Sequence, residues 1–303
     1  MNNGYFMSLK STIAGRLDQD ITGIRSRGEA AGGTLLELDD DQGRTWFCKT
    51  ILSQGDHNIE QERALAVEAT GLREIGASRT VRVPAVHHHS PGLLVTTLIR
   101  PGRRNDRSMA ILGRELAAMH QVTGDHWGFH EDGFIGANPQ FNTPAQAADA
   151  SADGGWSRFW FQYRLLGQLR LVEQRGGDPW LRRAMDRLEP RIEGLLATDE
   201  ARPRLLHGDL WSGNYLIDES GHPWVIDPAA YYGHREADLA MTSLFGGFPP
   251  AFYQAYGEAL PLSPGYPERE PLYQLYHVLN HYNLFGSSWY AQVRSILQPL
   301  TGP

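Results

Sequence analysis

Intrachain disulfide bonds are excluded first, because the 303-residue chain holds one cysteine, Cys48. A chain without an intrachain pair is expected in a reducing compartment. No stretch approaches the roughly 18 apolar residues that a membrane-spanning helix needs. Residues 1–20, MNNGYFMSLKSTIAGRLDQD, contain no continuous apolar core of a signal peptide. The expected location is therefore cytoplasmic, with no membrane partner. Basic charge is not in excess: 28 Lys and Arg face 35 Asp and Glu, a formal net charge of -7. Nucleic acid usually requires a basic face, so no nucleic-acid partner is expected. Internal repeats are also lacking. Only residues 144–155, PAQAADASADGG, approach low complexity, and they are expected to form a surface insertion.

What remains is an ordinary globular composition, 41% hydrophobic and 21% charged, long enough for a sizeable core. The first third is expected to be strands interrupted by one helix. Residues 34–38 and 45–50 are apolar or β-branched runs around the polar turn Asp39-Asp40-Asp41-Gln42-Gly43, a hairpin pattern. Residues 57–75 carry Ile59, Ala64, Leu65, Val67, Leu72 and Ile75 at roughly helical spacing. Further strands are expected at 85–88 and 93–99. Pro101-Gly102 breaks both regular structures and marks a boundary. Beyond it, helices are expected at 108–121, 156–174, 180–196, 252–259 and 272–284, with one β-rich island at 205–226. A β-rich N-lobe at 1–100 and a larger helical C-lobe at 101–303 make the coarse plan.

The chemistry concentrates in residues 205–238, LLHGDLWSGNYLIDESGHPWVIDPAAYYGHREAD. Two short strands, 215–217 and 224–226, flank a turn, so a hairpin brings Asp209, Asn214 and Asp227 to one edge. Phosphoryl transfer needs such oxygen-bearing side chains: Mg²⁺ takes few protein ligands besides phosphate oxygens, and a further carboxylate orients the attacking hydroxyl. The kinase catalytic loop H-R-D-x-x-x-x-N, followed by a metal-binding Asp, has these roles in this order. Glycine replaces the arginine after His207, while the Asp-to-Asn spacing is kept. Any one of these residues is explained as well by a turn or a cap. The fixed H-x-D-x4-N pattern, however, arises by chance in only about 1% of chains this long, from average residue usage.

Lys49 ends the apolar strand Trp46-Phe47-Cys48. In a kinase such a lysine holds the α- and β-phosphates and pairs with a helix carboxylate; otherwise it is a strand-end cation reaching water. Glu60, Glu62, Glu68 and Glu74 compete as its partner. The glycine-rich stretch 26–33, Ser-Arg-Gly-Glu-Ala-Ala-Gly-Gly, offers Gly28, Gly32 and Gly33 for close approach of backbone N–H groups to phosphate. A plain hairpin turn is the alternative. His87-His88-His89 carries no metal reading, since neighbours on a strand point to alternate faces. Trp156, Phe159, Trp160 and Tyr163 follow a helical stripe and are expected to be core.

HGDLWSGN at 207–214 and IDPAAYYGHREADLAM at 226–241 resemble the fructosamine kinase (ketosamine kinase) family, relatives of aminoglycoside phosphotransferases and choline kinases. EATGLREI near Glu68, VRVPAV at 81–86, GFIGANPQFN at 133–142 and LYHVLNHYNLFGSSW near the end extend the resemblance over nearly the whole chain. It implies an α+β, two-lobed protein-kinase-like fold and an ATP- and Mg²⁺-dependent kinase of the C3 hydroxyl of ribulosamines, erythrulosamines or fructosamines, free or protein-bound. The unstable product would release the amine, a deglycating repair. By the same resemblance Asp209 is the base, Asn214 and Asp227 are the metal ligands, and Lys49, oriented by Glu68, holds phosphate. Trp211 faces the sugar, Asp238 braces the catalytic loop, and His234, Arg235 and Glu236 either brace or touch substrate. Residues 26–33 lack the cysteine through which some members are redox-controlled, so that control is not expected here. A monomer or weak dimer is expected.

Overall fold

The computed structural model describes residues 3–30, 33–52, 59–142, 155–198, 200 and 202–301. Its N-terminal part is a five-stranded antiparallel sheet in the order β1-β2-β3-β5-β4. The strands are β1 (Ile21–Ala30), β2 (Gly33–Asp40), β3 (Thr45–Thr50), β4 (Val86–Ser90) and β5 (Leu93–Thr97). Helix α1 (Asn3–Leu17) precedes the sheet, and α2 (Ile59–Ser78) lies between β3 and β4. The period of two along each strand decides the two faces. Leu36 and Leu38 of β2, Cys48 of β3, and Leu93 and Val95 of β5 pack with Leu9 and Ile13 of α1. The alternate residues Leu35, Glu37, Phe47, Lys49, Leu94 and Thr96 line a cavity on the other side. One helix was expected in this region; α1 is a second one, and it covers the apolar face that the strands alone would leave wet.

The remainder is mainly helical. It begins with α3 (Asp106–Met119), started by a capping box in which Asn105 accepts from Ser108 N and the Ser108 side chain accepts from Asn105 N. A small hairpin, β6 (Gly133–Ile135) with β7 (Asn138–Gln140), follows. The next run is α4 (Gly155–Phe159), a π-helical turn (Trp160–Leu165) and α5 (Leu166–Gln174). Then come α6 (Pro179–Leu188) and α7 (Ile192–Leu195), separated by a 3-10 turn at Glu189–Arg191. A single helix was expected over 180–196. Pro190 has no N–H to donate and interrupts it. Trp156, Phe159 and Trp160 are buried and Tyr163 packs against them, as their spacing requires.

The β-rich island divides in two. β9 (Tyr215–Ile217) and β10 (Pro223–Val225) form the expected hairpin. β8 (Arg204–Leu206) instead pairs with β11 (Tyr231–Gly233). Asp218 closes the hairpin turn, accepting from Ser220 N, His222 N and Trp224 Nε1 at 2.9 Å each. The chain ends with α8 (Glu236–Leu244), α9 (Pro250–Ala259), α10 (Tyr266–Phe285) and α11 (Tyr290–Thr301). Helices α8 and α11 were not expected from the sequence, and α10 starts at Tyr266 rather than at 272. The segment 144–155 falls outside the described residues apart from Gly155, which opens α4.

Candidate active site

Three elements meet at Lys49. Strand β3 projects its ammonium into the cavity, where Nζ lies 2.7 Å from Glu68 Oε1 of α2 and 2.8 Å from Asp227 Oδ1. Of the four carboxylates that compete on α2, Glu68 is thus the partner. Glu74 is engaged elsewhere, accepting from Tyr232 Oη at 2.7 Å. Burial pulls the ammonium of Lys49 toward its neutral form, but the Glu68 and Asp227 carboxylates outweigh it and hold the pKa above its ordinary value. Burial also pushes Glu68 up, and Lys49 only partly offsets that. The proton stays on the lysine.

The catalytic loop is fixed from behind by Asp238, the residue expected to brace it. Its carboxylate accepts from His207 N at 2.7 Å, Gly208 N at 2.8 Å and His120 Nε2 at 3.1 Å. With Nε2 donating, His120 Nδ1 accepts from Tyr256 Oη at 2.9 Å. Burial pushes Asp238 up, yet the hydrogen bond from His120, with that from the Gly208 amide, prevails and holds it below the usual aspartate value. His207 Nε2 donates to the Ile226 carbonyl at 2.9 Å, which leaves Nδ1 to accept from Asp209 N at 3.3 Å. Gly208 has φ +83, and an added Cβ would stand 2.0 Å from the Ala229 carbonyl oxygen. Only glycine satisfies both conditions.

Asn214 Nδ2 donates to the Asp209 carbonyl at 2.8 Å and to Asp209 Oδ2 at 3.1 Å. The Asn214 carbonyl in turn accepts from Ile226 N at 3.0 Å, so the base candidate and both metal-ligand candidates are tied together. Burial raises the Asp209 carboxyl to about 7, aided by the nearby charge of Asp227 and opposed by the Asn214 bond. A proton acceptor poised near neutrality suits general-base work. Asp227 sits at φ +54, a left-handed conformation rare outside glycine, and its side chain is 43% exposed. Such local strain concentrates at functional sites.

Lys49, Glu68 and Asp227 line a cavity of ≈ 380 Å³ whose remaining walls are mostly apolar. The donor set fits a hard cation: Asn214 uses only its amide nitrogen internally, leaving Oδ1, and Asp227 gives only Oδ1 to Lys49, leaving Oδ2. Trp211 is 40% exposed, so it is not a core residue; its indole lies over Gly213, where an added Cβ would meet the ring at 2.3 Å. Gly28 falls within β1 and Gly33 opens β2, so the strands run further into the glycine-rich stretch than expected. Gly32 lies outside the described residues. His234, Arg235 and Glu236 are buried and brace the interior through Tyr273, Glu200 and Arg269.

Sequence reasoning passed over two supports of the site. One is His120. The other is Gln140, which donates to the Ala229 carbonyl at 2.9 Å and accepts from Tyr276 Oη at 3.1 Å, fixing the chain just after Asp227. The available signal for the second was alternation: Asn138, Gln140 and Asn142 are polar at a strand period, and all are buried.

The family model for fructosamine kinase matches residues 9–301. The chain belongs to the fructosamine kinase family. It is 40% identical over 291 residues to the chloroplastic protein-ribulosamine 3-kinase of Oryza sativa subsp. japonica, covering 91% of this chain and 78% of that one. It is 38% identical over 310 residues to the ketosamine-3-kinase of Mus musculus, covering 92% and 96%. A crystal structure of a candidate fructosamine-3-kinase from Thermobifida fusca superposes with a TM-score of 0.86 at 29% identity, over 97% of this chain and 98% of that one. A fructosamine kinase family member with this two-lobed protein-kinase-like fold is a phosphotransferase acting on a hydroxyl, and the fold implies ATP as phosphoryl donor. Among the described residues no helix is long and apolar enough to cross a membrane.

Proposed function

We propose that the protein is an ATP:ketosamine 3-phosphotransferase in which Asp209 serves the acceptor hydroxyl while Lys49, Glu68, Asn214 and Asp227 hold the nucleotide and Mg²⁺. The observation that carries this reading is Lys49 Nζ held between Glu68 at 2.7 Å and Asp227 at 2.8 Å, with the Asp209–Asn214 pair one hydrogen bond away through Ile226. The acceptor oxygen bonds to the γ-phosphorus as the bond to the bridging oxygen breaks and ADP departs. Asp209 takes the hydroxyl proton and later releases it to water. Asn214 and Asp227, whose Oδ1 and Oδ2 are not used by the hydrogen bonds above, would hold Mg²⁺, which would supply charge neutralisation for the triphosphate. Lys49 adds a second positive charge, fixed in place by Glu68, so positioning and electrostatics supply most of the rate.

The acceptor is a ribulosamine, erythrulosamine or fructosamine, free or on a protein. Its 3-phosphate is unstable and frees the amine, which makes the reaction a deglycation. Trp211, exposed beside the catalytic loop, offers an aromatic face to the sugar. Gly28, Gly32 and Gly33 admit phosphate oxygens near the backbone. The lobes divide at 100/101, and the protein works as a cytoplasmic monomer or weak dimer.

ADP release and ³¹P NMR on a panel of ribulosamine, erythrulosamine, fructosamine, choline and an aminoglycoside test the reading. A new phosphate-ester resonance at C3 of a ketosamine is expected. Turnover confined to choline or the aminoglycoside would overturn it.

A further inference from the structure

The cavity holds a charged pair that the phosphoryl-transfer machinery does not use. Glu37 of β2 is 3% exposed and stands on the cavity roof. Two arginines of β1 neutralise it: Arg25 Nε at 3.1 Å from Oε2, and Arg27, whose terminal nitrogen hydrogen-bonds Oε1. The two arginines differ. Arg25 is committed, since its other nitrogens bond both oxygens of Asp39. Arg27 has Glu37 as its only hydrogen-bond partner among the described residues, and it lines the cavity with its side chain 56% exposed.

Arg27 reaches that place through an irregularity in the strand. The β1–β2 register shifts between Ser26 and Gly28, which leaves Arg27 as the extra residue, and Gly28 takes φ +115 beside it. A bulge of this kind re-aims a side chain. The Arg27 backbone stands beside Gly28, in the Leu35–Lys49 row, but register locates Glu37, and with it the guanidinium it holds, further along the cavity. Lys49 lies opposite Leu35, whereas Glu37 lies opposite Phe47, two residues further along β2. At about 3.3 Å per residue, that is roughly 6–7 Å from the Lys49 row. Phe47 pairs with Thr96, on the side where β5 runs out toward Leu98, Ile99 and Pro101. With a triphosphate at Lys49 and Asp227, this end of the cavity receives the base.

We propose that Arg27, pinned by Glu37, is the residue that recognises the nucleotide base, its guanidinium plane packed on the ring face. This rests on the nucleotide reading of the cavity and is independent of which acceptor is phosphorylated. A planar, weakly hydrated cation suits a π face better than an ammonium does. The ion pair to Glu37 orders the arginine before the ligand arrives, which lowers the entropy lost on binding. Leu35, Phe47, Leu94 and Leu216 supply the apolar surroundings in which such a contact gains strength.

Calorimetric titration of Mg²⁺-ATP and of Mg²⁺-tripolyphosphate into the parent and Arg27→Ala separates base from phosphate recognition. Arg27→Ala is expected to bind ATP about five- to tenfold more weakly, the size of a partly desolvated cation–π contact, with tripolyphosphate unchanged. Arg27→Lys keeps the charge without the plane and is expected to recover little. Lys49→Ala is the contrast, weakening both ligands. ATP binding by Arg27→Ala within twofold of the parent, or equal losses for both ligands, would overturn the assignment. A parent that binds ATP but phosphorylates no ketosamine would sink the acceptor reading alone. A parent that binds neither ligand would sink both.

Discussion

A carboxyl group that receives a proton from a sugar hydroxyl must be near its own pKa at working pH and must be aimed by its neighbours. Asp209 meets both conditions, raised to about 7 by burial and held by Asn214 at 3.1 Å. Asp209→Asn is nearly isosteric and is expected to leave nucleotide affinity and melting temperature close to the parent. Its turnover should fall by about 10²–10⁴, the usual worth of general-base assistance. Steady-state kinetics with calorimetry of ATP binding checks it, and near-parental turnover would remove Asp209 from that role. Lys49 and Glu68 act as one unit, so Glu68→Gln should slow turnover in the parent but add little to Lys49→Met. A coupling of about 0.5–3 kcal/mol is the expected range for residues in contact; fully additive losses would show that Glu68 does not act through the lysine. Lys49 was legible because it ends the apolar strand Trp46-Phe47-Cys48, where a charged residue is out of place, upstream of the Asp209, Asn214 and Asp227 pattern. Glu68 was not separable from Glu60, Glu62 and Glu74 by periodicity, because which face of α2 meets β3 is a tertiary fact.

The catalytic loop is the element on which these residues depend, and its shape is set by contacts from distant elements. Gly208→Ala would force a Cβ against the Ala229 carbonyl, 2.0 Å away, at φ +83. The strain is expected to cost about 1–3 kcal/mol and to displace Asp209. Lowered melting temperature together with lost turnover is the expected pair of results, and an unchanged protein would mean the loop yields easily. Asp238 links the loop to acidity. Its folded pKa is below the unfolded one, so its stabilisation is present above about pH 4 and is lost as pH falls through the folded value. Asp238→Asn should therefore be less stable than the parent at pH 7, by about 1–3 kcal/mol for a charged hydrogen-bond acceptor. The gap should narrow under acid, and urea unfolding at pH 7 and pH 3.5 measures it. A gap that widens toward low pH would contradict the assignment. The spacing within 207–227 was readable because one hairpin contains it. His120 was not, since α3 reaches Asp238 only in the folded molecule. Helices α1 and α8 carry little apolar periodicity of their own and form because of the elements they cover, whereas α11 carries Val293, Ile296, Leu297 and Leu300 at helical spacing, a signal that was there to be read.

At the scale of the whole molecule, the β-rich and helical parts share apolar packing across the proposed boundary at 100/101. Ile75, near the end of α2, and Val81 share one apolar cluster with Met109, Leu112, Leu205 and Val225. The Gly102 amide also donates to the Ile217 carbonyl at 2.7 Å, so the connection between the lobes is stitched to the β9–β10 hairpin. The Pro101-Gly102 signal marks where the texture changes, but proline and glycine report local geometry and say nothing of which core a preceding helix enters. Rooting α2 in the second core has a functional consequence, because the same helix carries Glu68 to Lys49. Ile75 is fully buried, and truncating a buried isoleucine to alanine typically costs about 2–5 kcal/mol. Ile75→Ala is expected to unfold in one calorimetric transition at lower temperature, since the cluster it weakens belongs to both parts. At temperatures where it stays folded, its KM for ATP should rise as α2 loses its footing. Two resolved transitions, with only the first shifted, would show that the N-terminal part melts on its own and that α2 is anchored by the sheet instead.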